Sequence, residues 1–186
     1  MYRSEKEKCH LGELYDANDA ELLAERQKCK DICHRYNQLL PSLQEERSDM
    51  IRSLLAKTSH NFLIEQPFYC DYGYNIEIGE NFYANVNCVI LDGARVRFGD
   101  NVFIGPNCGF YTAGHPLDVA QRNKGLEYAH PISVGNNVWL GAQVCVLPGV
   151  TIGDNCVIGA GSVVTHDIPN NSLAVGSPCR VVRKLL

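Results

Sequence analysis

No stretch of the 186 residues strings together the roughly 18 apolar positions that a bilayer span needs, which excludes an integral membrane role. The opening MYRSEKEKCH lacks the apolar centre of a secretory leader, so the chain is expected to be cytoplasmic. An excess of basic residues is missing as well. A formal net charge of −4 argues against nucleic acid as the main partner, although local clusters of arginine can still meet an anion. Paired C-x-x-C motifs are absent, and the six histidines have no ligand-like spacing, so no metal is expected. The nine cysteines are odd in number and do not follow the spacing of a small secreted framework. They read as reduced thiols packed like small apolar side chains. Disorder is excluded by a chain that is 45% hydrophobic and 20% charged.

What is present divides near residue 60. In the first part Leu22, Cys29, Ile32, Tyr36 and Leu39 recur at near-helical spacing until Pro41 interrupts them. Asn18 with Glu21 resembles a capping box, and Ser42 with Glu45 a second. Met50, Ile51, Leu54 and Leu55 follow on one apolar stripe. Residues 1–59 therefore predict a helical hairpin with one face that must be covered.

Residues 60–186 follow another period. Val134, Leu140, Val146, Ile152, Ile158 and Val164 return every sixth position, and Gly135, Gly141, Gly153 and Gly159 follow four of them. The beat recurs at Phe98, Ile104 and Phe110, at Ile78, Ala84 and Ile90, and at Ile64, Cys70 and Ile76, with two-residue slips between sets. Six does not divide into helical turns of 3.6. The pattern predicts a mainly β fold, a parallel β-helix with aliphatic ladders inside and small residues at tight corners. Cys88, Cys108 and Cys156 share one hexad position and are expected in the core. The helical hairpin and the C-terminal tail are the available caps.

Residues 115–131 break the rhythm and must leave the body as a loop. His115 stands at its root, where an imidazole could accept a proton near neutral pH. Asn85, in NFYAN, suits a tight turn. Arg180, Arg183 and Lys184 concentrate positive charge in the tail, as a phosphate site or as a solvated end. Trp139, the only tryptophan, is either a sugar platform or a structural residue of its hexad.

The hexads, together with GELYDANDAEL, CDYGYNIEIGENFYANVNCVILD, GHP and NNVWLGAQVCVLPGVTIGDNCVIGAGSVVTHDIP, resemble the maltose and galactoside O-acetyltransferases over nearly the whole chain. The resemblance implies a left-handed β-helix and a homotrimer with active sites between subunits. It further implies acetyl transfer from acetyl-CoA to a sugar hydroxyl without a metal. It gives His115 as general base and Asn85 as the amide that stabilises the transition state. Arg180 and Arg183 would hold acetyl-CoA, and Ala142, Ala160 and Thr165 would line its pantetheine arm. His166 falls where the galactoside branch has lysine. On the acceptor side Asp71 replaces that branch's serine, and Asp16 lies one place from the family's acidic position. Asp92 precedes Gly93, which itself replaces a carboxylate. These departures point to maltose or glucose as acceptor. The rival readings are a β-helix carbonic anhydrase, a xenobiotic (antibiotic) acetyltransferase and a non-catalytic β-helix scaffold.

Overall fold

A hexad that buries its aliphatic residue needs short strands whose neighbouring side chains point outward, and a corner after each. The structure, a computed structural model describing residues 3–185, has this form: a left-handed β-helix of about six turns. Three parallel sheets form the faces of a prism. One runs through Phe62–Ile64, Phe82–Ala84, Val102–Ile104, Val138–Leu140, Val157–Ile158 and Ser172–Val175. The second runs through Phe68–Cys70, Cys88–Leu91, Gly109–Tyr111, Cys145–Val146 and Val163–Val164. The third takes Ile76–Glu77, Val96–Phe98, Ile132–Val134 and Thr151–Ile152. Ile64, Ala84, Ile104, Leu140 and Ile158 stack in register, each nearly inaccessible. Cys88, Cys108 and Cys156 are buried in the same core, and every cysteine is unpaired.

The corners differ from expectation in one respect. Most of the hexad glycines do not supply the left-handed turn. Asn81, Asn101, Asn137, Asn155 and Asn171 do, each with φ between 55° and 58°. Asparagine tolerates this region because its short amide finds local partners. Here each side chain donates to the next along a vertical ladder, at 3.1, 3.1, 3.0 and 2.9 Å. The glycines answer a different demand. A Cβ on Gly135 would meet the Asp154 backbone nitrogen at 2.8 Å, because successive coils touch there.

The preface holds three helices rather than two: α1 Glu5–His10, α2 Ala20–Gln38 and α3 Gln44–Leu54. The first carries a Ser4–Glu7 capping box. Asp19, not Asn18, caps α2, and α3 starts after Leu43 with no side-chain cap, so the Ser42–Glu45 box does not form. Helices α2 and α3 close the upper end of the β-helix. The Ile64 carbonyl, at the edge of the first coil, accepts from the Tyr36 hydroxyl at 2.5 Å and from Arg47 at 2.9 Å. Phe68 exchanges two hydrogen bonds with the Asn37 amide. An otherwise open sheet edge is thereby satisfied. At the lower end, strand Arg180–Lys184 folds back antiparallel on Ser172–Val175. One hydrophobic core runs from Cys29 and Tyr36 through to Cys179.

The insertion is not a plain loop. It contains helix α4 Val119–Asn123 and strand Leu126–Ala129. Its base is closed, since the His130 amide donates to the Thr112 carbonyl at 2.8 Å.

Candidate active site

His115 follows strand Ala113–Gly114, where the chain leaves its coil. That strand pairs antiparallel with Leu126–Ala129, and the other edge of Leu126–Ala129 receives Tyr15–Asp16 from the preface. Three distant segments thus share one small sheet, with Tyr15 opposite Glu127 and Asp16 opposite Leu126. His115 Nδ1 lies 3.1 Å from the Leu126 carbonyl oxygen. A carbonyl can only accept, so this contact assigns the proton to Nδ1 and leaves the lone pair on Nε2. Nε2 stands 3.8 Å from Glu127 Oε1, while Glu127 Oε2 accepts from the Tyr15 hydroxyl at 2.9 Å. An ionised carboxylate has no proton to give the lone pair, and from this distance it stabilises an imidazolium once one forms. The ring is 53% exposed, so its base end is reachable. Glu127 and Tyr15 were not singled out from sequence. Their signal lies in the pairing of GELYD with GLEYA, which only the folded chain brings together.

Asp71 ends the neighbouring coil and is half-buried. Burial holds its carboxyl above the ordinary range, Arg26 partly offsets this, and Glu127 adds to the rise. Asp92 does not fit its expected acceptor role. It is fully buried, and its oxygens accept from the backbone amides of Asp71 (3.0 Å), Tyr72 (2.9 Å) and Asn75 (3.3 Å). A carboxylate so occupied cannot meet a sugar hydroxyl; it shapes the turn that presents Asp71. Burial pushes Asp92 up to about 7 despite those donors. Asp16 stays half-buried in the small sheet, one oxygen accepting from the Asn18 amide at 2.9 Å. A Cβ at Gly93 would stand 3.3 Å from Ala129 Cβ and 3.5 Å from the Tyr15 hydroxyl, so the glycine lets the small sheet pack closely on its coil.

Asn85 lies apart, at the corner after Phe82–Ala84 on the longest sheet. Its Oδ1 accepts from the Val86 amide at 2.8 Å, which leaves Nδ2 as the outward group, without a hydrogen bond among the described residues. Within one chain no hydrogen bond joins Asn85 to His115.

The expected donor residues occupy the lower half. Ala142 and Ala160 stack at one corner, where a Cβ on Gly141 would meet the Ala160 nitrogen at 2.7 Å and the Gly161 amide donates to the Ala142 carbonyl at 2.8 Å. Thr165 Oγ1 lies 2.8 Å from His166 Nδ1. His166 and Arg180 line one shallow cleft with Asp167, Ile168, Cys179 and Val181. Arg180 and Arg183 are exposed and make no ion pair among the described residues, so two guanidinium groups remain available to an anion.

Comparison with known proteins identifies the fold and the family. Residues 8–59 match the model of the maltose acetyltransferase hexapeptide capping motif, and residues 131–166 that of the bacterial transferase hexapeptide (six repeats). The chain is 45% identical over 179 residues to the galactoside O-acetyltransferase of Escherichia coli K12, covering 96% of this chain and 88% of that protein. The crystal structure of a maltose O-acetyltransferase from Clostridium difficile 630 superposes with a TM-score of 0.98 at 49% identity, covering 99% of this chain and 98% of that one. A galactoside acetyltransferase in complex with coenzyme A gives 0.96 at 44% identity, covering 100% and 92%. The fold and the helical cap define a hexapeptide-repeat acyltransferase. Within that class the chain belongs to the maltose/galactoside O-acetyltransferase family and is an acetyltransferase.

Proposed function

We propose that the protein transfers acetyl from acetyl-CoA to a hydroxyl of a neutral sugar such as maltose or glucose. The observation that carries this reading is the 3.1 Å contact of His115 Nδ1 with the Leu126 carbonyl, which directs Nε2 to the acceptor with Glu127 beside it. Nε2 takes the proton of the acceptor hydroxyl as its oxygen attacks the thioester carbon. The oxyanion of the tetrahedral intermediate receives a hydrogen bond from Asn85 Nδ2. The intermediate collapses, and the departing CoA sulfur recovers the proton from Nε2. Asp71 and Glu127 lie close enough to act on one another, a pair of acceptors suited to a polyhydroxylic molecule and hostile to an anionic one, and Asp16 adds a further acceptor from the paired strand. Arg180 and Arg183 bind CoA phosphates, Ala142, Ala160 and Thr165 flank the pantetheine arm, and His166 adds a polar contact. The CoA complex of the galactoside acetyltransferase supports this co-substrate.

Asn85 and His115 sit on different parts of the prism, so a complete site needs a second copy. A homotrimer supplies it, each site lying between subunits. The exposed outward ladder of Leu63, Phe103 and Trp139, and Leu117 at 94% exposure on the insertion, give apolar surface for those contacts. Nine unpaired cysteines fit a reducing, cytoplasmic setting.

An acceptor panel of glucose, maltose, galactosides, amino sugars and chloramphenicol tests the reading, with turnover expected on glucose or maltose. Turnover of chloramphenicol alone would replace it with antibiotic acetylation. Replacing both Arg180 and Arg183 by Ala should raise the acetyl-CoA KM about tenfold or more, by losing charge-assisted hydrogen bonds, and leave the sugar KM nearly unchanged. An unchanged acetyl-CoA KM would remove the tail from the donor site.

A further inference from the structure

Three thiols from two elements converge beneath the helical cap, on the inner side of the turn that presents Asp71. Cys29 and Cys33 lie one turn apart on the buried face of α2, and Cys70 ends strand Phe68–Cys70 against them. Cys29 Sγ is 3.5 Å and Cys33 Sγ 3.8 Å from Cys70 Sγ, and the three sulfurs lie within 4.8 Å of one another. Bonds of about 2.3 Å from sulfur to one central ion would set three sulfurs about 3.8–4.0 Å apart, for tetrahedral to trigonal angles. Cys33 and Cys70 meet that span at 3.8 Å, and Cys29 and Cys70, at 3.5 Å, stand just inside it, as the narrower angles of a pyramidal centre would place them.

Ligand number and charge then choose the ion. No fourth histidine, cysteine or carboxylate joins the group among the described residues, whereas structural zinc closes with four ligands. The thiols are only 2–5% exposed, so any net charge left on the group would be buried at a cost. Three thiolates around Cu(I) would bury two net negative charges, and around Zn(II) one. Around a trivalent centre they bury none. We infer that Cys29, Cys33 and Cys70 form a three-coordinate site for a trivalent thiophilic metalloid, with arsenic(III) as the type ligand.

Arsenous acid reacts with three thiols by exchange alone. Three As–O and three S–H bonds break, three As–S and three O–H bonds form, and three waters leave without any change of oxidation state. Entry is provided by a cleft between α2, α3 and the first coils, lined by Cys29 with Lys28, Ile32, Leu54 and Tyr72. Occupancy would staple the cap to the first coils and stabilise the folded chain.

The test uses the full-length reduced protein with sodium arsenite. Native mass spectrometry should show the gain of one arsenic and the loss of three hydrogens per chain. Near-ultraviolet sulfur-to-arsenic absorption should rise with the same stoichiometry, and the thermal midpoint should increase. Cys29→Ser, Cys33→Ser and Cys70→Ser should each abolish the three-hydrogen adduct, and Cys145→Ser, at the partly exposed thiol, should keep it. Because a core serine can impair folding, thiols are also counted in the wild type after denaturation: arsenite should protect three per chain. Absence of the adduct in the wild type, its survival in any of the three core variants, or displacement of arsenic by equimolar zinc would overturn the assignment.

Discussion

At the scale of single residues the proposed mechanism separates a group that titrates from one that does not. A general base contributes about 10²–10⁴ in rate, and one oxyanion donor about 10²–10³. His115→Ala is expected to lower kcat by the first factor and to lose the rise of activity with pH. Asn85→Ala should lower kcat by the second factor and keep that rise at reduced height, with acetyl-CoA binding intact in both. A His115→Ala enzyme with near-normal kcat and its pH limb intact would sink the mechanism. Asp92 makes a separate claim about stability. Its carboxyl sits at about 7 in the fold because burial outweighs three backbone donors, against about 4 in an unfolded chain. The folded chain therefore retains a proton that the unfolded chain releases. This contribution is complete below about pH 4 and is lost as pH rises through about 7. Asp92→Asn keeps an acceptor oxygen but does not titrate, so its urea midpoint should fall less than the wild type's between pH 4 and 8. Parallel curves would show that Asp92 is charged throughout.

At the scale of elements, the corner is the unit of construction. Gly135→Ala would push a methyl group into the Asp154 backbone, and overpacking of this kind costs about 1–3 kcal/mol. The loss should appear as a lower urea midpoint with an unchanged slope. Wild-type stability in this variant would mean that the coils are less tightly stacked than described. The hexads were legible in the sequence because Val134 to Val164 repeat one local environment. The beat survives the upstream slips because each inward residue still meets its partner, as Ile64 meets Ala84. What could not be read was set by contacts between distant segments. Nothing local to Tyr15 or Glu127 announces that they pair, and α1 is too short to show a period. Asp92 was misassigned for the same reason: its amide partners Asp71, Tyr72 and Asn75 lie a full coil away.

At the scale of the whole molecule, the separation of Asn85 from His115 makes assembly a condition of activity in the proposed scheme. Sedimentation at assay concentration should report a trimer, and dilution that dissociates it should abolish turnover; an active monomer would refute shared sites. The closed base of the insertion carries a consequence of another kind. Thr112 is fully buried, its hydroxyl donates to the Leu91 carbonyl at 2.6 Å, and its own carbonyl receives the His130 amide. The chain thus leaves and re-enters the prism through a single clasp, and the coils above and below register with one another as if the excursion were absent. Length and composition beyond that clasp are uncoupled from the ladders that hold the molecule together, since lengthening a loop whose ends are already joined costs little. Insertions and deletions between residues 116 and 125, ahead of the strand that meets Tyr15–Asp16, can therefore accumulate among relatives while the load on the scaffold stays constant.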